Sequence, residues 1–243
     1  GLCILKGCMP TKAILRSSDI IALMRRAKEF GIQPVDAQAH LSAINDRKNK
    51  LIKEFADYRI EQLNSPRFTL IEERAQFISP HEIQIGNKLL KARSFIIATG
   101  SVIANYSVPG LKETGFVTSD DILKMREAPD SIIVLGAGAV GMEFASIYSR
   151  FGTKCTVLEM LDRVLPLEDR EVSEEMAKCY KKRGIDVMTS TKLESAEVKG
   201  GEVVCQLDTG SKKVELKAEM ILVAVGRVPV TAKLGLKAAG VKA

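Results

Sequence analysis

The sequence predicts an α/β fold of two related units, each a parallel sheet with a small β-meander, the first unit incomplete. Three observations predict it. The short apolar run Ser131–Leu135, of the kind buried on both faces of a sheet, leads straight into Gly136-Ala-Gly138-Ala-Val140-Gly141 and a helical pattern to Phe151. A second apolar run, Cys155–Leu158, ends in Glu159, 18 residues beyond Gly141. Twice, at Phe95–Gly100 and Met220–Gly226, an apolar stretch ending in Ala-x-Gly follows a group of short strands and is itself followed by a proline. That is a weak internal repeat of supersecondary units.

Taken in order, the chain opens on Gly1–Lys12, GLCILKGCMPTK, with Cys3 and Cys8 five apart around Gly7. On an ideal helix such residues point roughly 140° apart, and a disulfide needs Cα atoms within about 7 Å. The two pair only if the first turn is distorted, which Gly7 and Pro10 permit. A thiol at a helix N-terminus near a lysine has its thiolate favoured. The stretch reads either as a redox-active dithiol or as two small buried hydrophobes.

A helix is expected from Lys12 to Phe30-Gly31, with Ile14, Leu15, Ile20, Ile21, Leu23 and Met24 at helical spacing. A second spans Ser42–Asn64, with an apolar stripe of Ile44, Leu51, Ile52, Phe55, Tyr58 and Leu63. Strands are expected at Phe68–Ile71, Ala75–Ile78, Glu82–Ile85 and Ser94–Thr99, and His40 and His81 read as surface residues. Residues 101–118 read as a linker, and Ser119 and Asp120 as caps of a helix to about Met125. A helix over Asp169–Arg183 and a strand at Ile185–Met188 continue the alternation. The meander Lys192–Val198, Glu202–Leu207, Lys212–Leu216 and the strand Met220–Val225 follow. The domains are then 1–107, 108–227 and a return segment 228–243.

Composition bounds the function classes. The 243 residues are 46% hydrophobic and 27% charged, an ordinary globular balance. No apolar run approaches the roughly 18 residues of a membrane span, and the start lacks a signal-peptide pattern. The absence of an initiating Met makes a fragment the expectation. The net charge of +6 is scattered among 30 acids, so a solvated basic surface is expected and no nucleic-acid or membrane partner. Five cysteines are too few for a secreted disulfide scaffold, and Cys155, Cys179 and Cys205 read as packing residues. A reducing, cytoplasmic compartment fits.

Residues 131–159 have the pattern of a dinucleotide site. Gly136 allows the tight turn, Gly138 lets backbone approach a pyrophosphate, and Gly141 lets helix and strand pack closely. The pyrophosphate meets free N–H groups at the helix N-terminus, beside Val140. Glu159 accepts from the ribose hydroxyls and repels a 2′-phosphate, so NAD is preferred over NADP.

Gly-x-Cys-x4-Cys-x-Pro-Thr-Lys as it stands here, the Ala-Thr-Gly strand end, the glycine loop with Glu143 and Glu159, and Val-Gly-Arg-x-Pro occur in the order of the pyridine nucleotide–disulfide oxidoreductases, which the whole chain resembles, the dihydrolipoyl dehydrogenases most. The resemblance implies two FAD/NAD-binding Rossmann-like domains in a homodimeric flavoprotein. It implies that Cys3 exchanges with a small dithiol or disulfide substrate and that Cys8 lies against the flavin. It implies that Lys12 sits near the reactive flavin nitrogen, paired with Glu143. By the same resemblance Ala75, Thr99, Gly100 and Ser101 touch FAD, while Leu193 and Gly226 line the NAD site. A lipoyl domain of a 2-oxoacid dehydrogenase complex is an implied partner. The motif departs from the family's usual form at Leu5, where Asn is common, and at Thr11, where Ser is frequent. The family's flavin glycine loop, dimerisation domain and catalytic His-Glu pair have no counterpart in these residues, so the chain by itself is expected to bind FAD poorly and to be inactive. A mercuric-reductase-like enzyme and a non-catalytic NAD-binding module are the alternatives.

Overall fold

The computed structural model describes residues 1–242. The second unit is built on a five-stranded parallel sheet of order β5-β12-β6-β7-β8. Its members are β5 (Val117–Thr118), β6 (Ser131–Leu135), β7 (Lys154–Leu158), β8 (Asp186–Met188) and β12 (Met220–Val223). Ile132, Ile133 and Val134 of β6 are fully buried, because α5 (Ala139–Phe151) covers one face of the sheet and the meander covers the other. That meander is β9 (Lys192–Lys199), β10 (Glu202–Asp208) and β11 (Lys213–Ala218), all antiparallel. Helix α6 (Arg170–Lys182) lies on the α5 side, where the Tyr180 hydroxyl donates to the Met142 carbonyl at 2.5 Å.

The first unit is helical. Short α1 (Leu2–Lys6) runs into α2 (Cys8–Arg25), and α3 (Leu41–Leu63) packs beside α2. A three-stranded antiparallel meander follows: β1 (Ala75–Ser79), β2 (Glu82–Ile85) and β3 (Lys88–Lys91). The chain returns to it at the end, where the Phe77 amide donates to the Leu234 carbonyl at 2.8 Å. β4 (Ser101–Ile103) pairs with β13 (Arg227–Pro229) in an antiparallel ribbon joining the ends of the two units.

Several expectations are corrected. The first helix begins at Cys8 rather than after Lys12 and stops at Arg25; a 3-10 turn, Ala27–Phe30, carries it to Gly31 in the left-handed region. Phe68–Ile71 and Ser94–Thr99 are not strands, and Ile96 is 95% exposed. The run 94–99 has the apolar content of a buried parallel strand but no neighbouring strand among the described residues, and a lone strand has nothing to bond. The linker 101–118 contains β4 and β5. The cap of α4 (Ser119–Ile122) is Thr118, paired with Asp121 in a capping box, not Ser119 or Asp120. The α3 stripe is half used: Ile44, Leu51 and Ile52 are shielded, whereas Phe55, Tyr58 and Leu63 are exposed, since only the N-terminal part of this long helix lies against a neighbour. Cys155 and Cys205 are buried, and burial pushes their thiols up to about 12 and about 11; Cys179 lies exposed on α6 rather than in the core.

Phe144 of α5 is 2% exposed in the larger core. Phe144→Ala is expected to cost about 3–5 kcal/mol, read as a lower midpoint in urea denaturation.

Candidate functional site

The glycine loop is held by two close backbone approaches. Gly136 has φ +106, its amide donates to the Leu158 carbonyl at 2.8 Å, and a Cβ there would lie 2.7 Å from the Ala224 oxygen. A Cβ on Gly141 would lie 2.0 Å from the Gly136 oxygen and 3.2 Å from Val134 Cγ1. Both are therefore packing glycines. Gly138, at the N-cap of α5, differs: a Cβ there would meet nothing within 4 Å. The one open position is the one where a pyrophosphate would approach.

Glu159 ends β7 beside this loop. One carboxylate oxygen accepts from the Ala137 amide at 2.8 Å and the other from the Leu161 amide at 2.9 Å. Those bonds fix the carboxylate at the mouth and leave lone pairs for ribose hydroxyls. Gly136, Gly138, Val140, Glu159 and Gly226 line one cleft of ≈ 320 Å³. Leu193, buried in the second core, lines an adjoining cleft of ≈ 270 Å³ with Tyr106, Met160 and Thr191, and Gly136 borders both. Tyr106 went unnoticed in the sequence because it sits in the stretch read as linker. Its phenol is pushed above the ordinary range by burial and by the Glu159 charge.

The dithiol segment is bent at Gly7. Cys3 is on α1, and Cys8 is the first residue of α2. A Cβ on Gly7 would lie 3.1 Å from the Leu2 oxygen and 3.3 Å from Cys3 Cα, a tight fit that would push the α1 turn by a few tenths of an ångström. Both cysteines are exposed and free, which removes the reading as buried hydrophobes. Contact with the Cys8 side chain, then desolvation, hold the Cys3 thiol above its ordinary range.

Helix α2 lies parallel to α5. Lys12 Nζ donates to Glu143, and Arg150 donates to Asp19. Lys12 and Asp19 are seven residues apart, and so are Glu143 and Arg150. Two ion pairs of opposite sense, about 10.5 Å apart along each axis, thus fix the register. The Lys12–Glu143 pair is the one the family resemblance implies, and Asp19–Arg150 is a second pair at the same interval of seven.

Of the residues assigned to flavin contact, Thr99, Gly100 and Ser101 meet at the β4–β13 ribbon. Thr99 Oγ1 donates to the Val230 carbonyl at 2.7 Å, and Gly100 has φ +77. Ser101 accepts from Arg227 at both its hydroxyl (3.0 Å) and its carbonyl (2.9 Å). Ala75 starts β1, opposite Ile85. Thr99 and Gly100, like Cys8 and Lys12, are exposed, and Ala75 and Ser101 are half-buried, so each is open to a ligand, while the buried polar atoms without partners lie elsewhere, on Asn45, Ser65 and Asp120.

A model of the pyridine nucleotide-disulphide oxidoreductase family matches residues 1–243. The chain belongs to that family. It is similar to a mercuric reductase of Bacillus cereus, 29% identical over all of this chain and 38% of that protein. It is also similar to a dihydrolipoyl dehydrogenase of Bacillus subtilis (strain 168), 32% identical over 98% of this chain and 53% of that protein. Among solved structures, the Cu(II) complex of the HOCl-induced flavoprotein disulfide reductase RclA from Escherichia coli superposes with a TM-score of 0.80. That match has 26% identity and covers 100% of this chain and 51% of the other. The chain thus spans about half the length, or less, of these relatives. The family uses FAD and a pyridine nucleotide, which agrees with the two-domain α/β fold.

Two measurements check the site. Gly138→Ser, which keeps an N-cap former, is expected to leave the melting temperature unchanged and weaken NADH binding at least tenfold by fluorescence titration, whereas Gly136→Ala destabilises by about 1–3 kcal/mol through backbone strain. Cys8→Ser is expected to bring the pH midpoint of Cys3 alkylation down, since Cys8 is what raises it.

Proposed function

We propose that this chain carries the dithiol and nucleotide half of a flavin-dependent disulfide oxidoreductase that passes electrons between a dihydrolipoamide-like dithiol and NAD. The observation that carries this reading is the α2–α5 packing. It joins the dithiol helix, through Lys12, to Glu143 two residues past the glycine loop. A thiolate of the substrate attacks Cys3 of the Cys3–Cys8 disulfide; the S–S bond breaks and Cys8 leaves as thiolate. The second substrate thiol then displaces Cys3 from the mixed disulfide, so the substrate is oxidised as the cysteine pair is reduced. FAD supplies the two-electron step between that pair and the nicotinamide. Lys12, oriented by its contact with Glu143, presents a cation one helical turn after Cys8. Glu159 receives the ribose hydroxyls, and its charge disfavours a 2′-phosphate. The working unit is proposed to be a homodimer in a reducing, cytoplasmic compartment, with a lipoyl domain as its large partner.

A second reading, reduction of a metal ion or another disulfide, is favoured by the mercuric reductases among the relatives and by Leu5 in place of Asn. Turnover of the complete gene product decides. Dihydrolipoamide-dependent NAD reduction lost in Cys3→Ser is expected, whereas Hg(II)-dependent nucleotide oxidation without lipoamide activity selects the second reading. Glu159→Ala is expected to narrow the preference for NADH over NADPH at least tenfold in the ratio of kcat/KM.

A further inference from the structure

Cys3 and Lys6 stand three residues apart on α1, the spacing that places side chains on one helix face. A free ammonium there would favour the Cys3 thiolate. The structure turns that ammonium elsewhere: Lys6 Nζ donates to Asp120 Oδ2 at 3.3 Å, across to α4 of the nucleotide unit. Asp120 is itself held from its other side. Its Oδ1 is buried without a hydrogen bond and lies 3.7 Å from Arg227 Nη1, and Arg227 is anchored on Ser101. The Asp120 and Arg227 side chains are largely shielded, while Lys6 is open to solvent. The fixed partner is therefore the carboxylate.

We propose that Asp120 is a positioning residue that restrains the reactivity of Cys3 by holding the Lys6 ammonium away from it. On the helices that α1 touches, the charges nearest its packing faces are engaged, while Arg16 of α2, Lys50 of α3 and the Gly1 ammonium at the start of α1 have no ion-pair partner among the described residues. On α2, Lys12 binds Glu143 of α5 and Asp19 binds Arg150. On α3, Arg47 donates to the Ala13 carbonyl, Lys48 to the Leu123 carbonyl, and Asp46 accepts from Arg126. Cys8 is the ionisable neighbour acting on Cys3, and its effect opposes ionisation. Lys6 is the side-chain cation on α1 itself, one turn from Cys3, and the one that a cross-unit contact holds away.

The consequence for turnover rests on Cys3 being the substrate-facing thiol, but the test reads Cys3 directly. The full chain, kept reduced with a phosphine, is alkylated with iodoacetamide from neutral to alkaline pH, and Cys3 modification is followed by mass spectrometry. Asp120→Asn is expected to speed Cys3 alkylation at neutral pH about twofold and lower its pH midpoint, the size of a helix charge pair at this spacing. Asp120→Ser should do the same, which covers poor folding of the first variant. Lys6→Met alone should behave as wild type, and Lys6→Met combined with either Asp120 variant should return the profile to wild type. An unchanged profile in the Asp120 variants overturns the proposal. So does a double variant that stays fast, because loosening of α1 would not need Lys6. Neither outcome depends on whether Cys3→Ser abolishes turnover.

Discussion

The contact on which the rest of the structure depends is the seating of α5 on β6 at two glycines. The Gly136 oxygen occupies the space that a Gly141 Cβ would need, and the Ala224 oxygen occupies most of the space at Gly136. No side chain fits either position, so helix, strand and the neighbouring strand end close to backbone contact. That seating aims the free amides of the α5 N-terminus over the sheet's C-terminal edge, where an anion is favoured. It also sets the direction in which Glu143 and Arg150 leave the helix. The nucleotide mouth and the anchor points for the dithiol helix are two outputs of one packing constraint.

Besides apolar packing, polar side chains reach across between the two units to backbone carbonyls and charges. Lys48 of α3 donates to the Leu123 carbonyl and Asn45 to the Met125 carbonyl, both at the end of α4. Arg25 donates to the Arg150 carbonyl at 2.8 Å, beside the Asp19–Arg150 pair. Ile14 and Leu41 join the nucleotide unit's own core from the other side. Lys48 is buried with its ammonium on a carbonyl, and desolvation lowers its pKa. Burying such a group is costly unless it is hydrogen-bonded, so the partner carbonyl specifies where α3 sits as well as adding stability.

Much of the second unit was legible in the sequence because its signals are local. An apolar run, a turn that only glycine permits and a helix with one apolar face all lie within Ser131–Phe151, and each constrains the same backbone. The failures share a physical cause. Ser94–Thr99 and Phe68–Ile71 carry strand-like composition, yet strands exist only when paired, and pairing is a property of neighbours. The ribbon of Ser101–Ile103 with Arg227–Pro229 was invisible because its partners are more than a hundred residues apart and neither alternates in hydrophobicity. The lining role of Tyr106 and the contacts of Asp120 with Lys6 and Arg227 have the same cause, since each joins residues distant in sequence.

By itself the sequence determined the nucleotide loop, the identity of its acidic partner Glu159, the spacing of the two thiols, and through the order of its motifs the family. Those features depend on which residue types stand at fixed short intervals, where steric limits on glycine and the helix period leave few choices. Only the tertiary structure decided which glycine is open, that the cysteines face solvent, and that α2 runs parallel to α5 on paired charges. It alone joined Lys6, Asp120 and Arg227 across the two units. Long-range packing selects among side-chain partners that local sequence leaves equivalent, because the free energy separating them lies in burial and in geometry that exists only after the chain has folded.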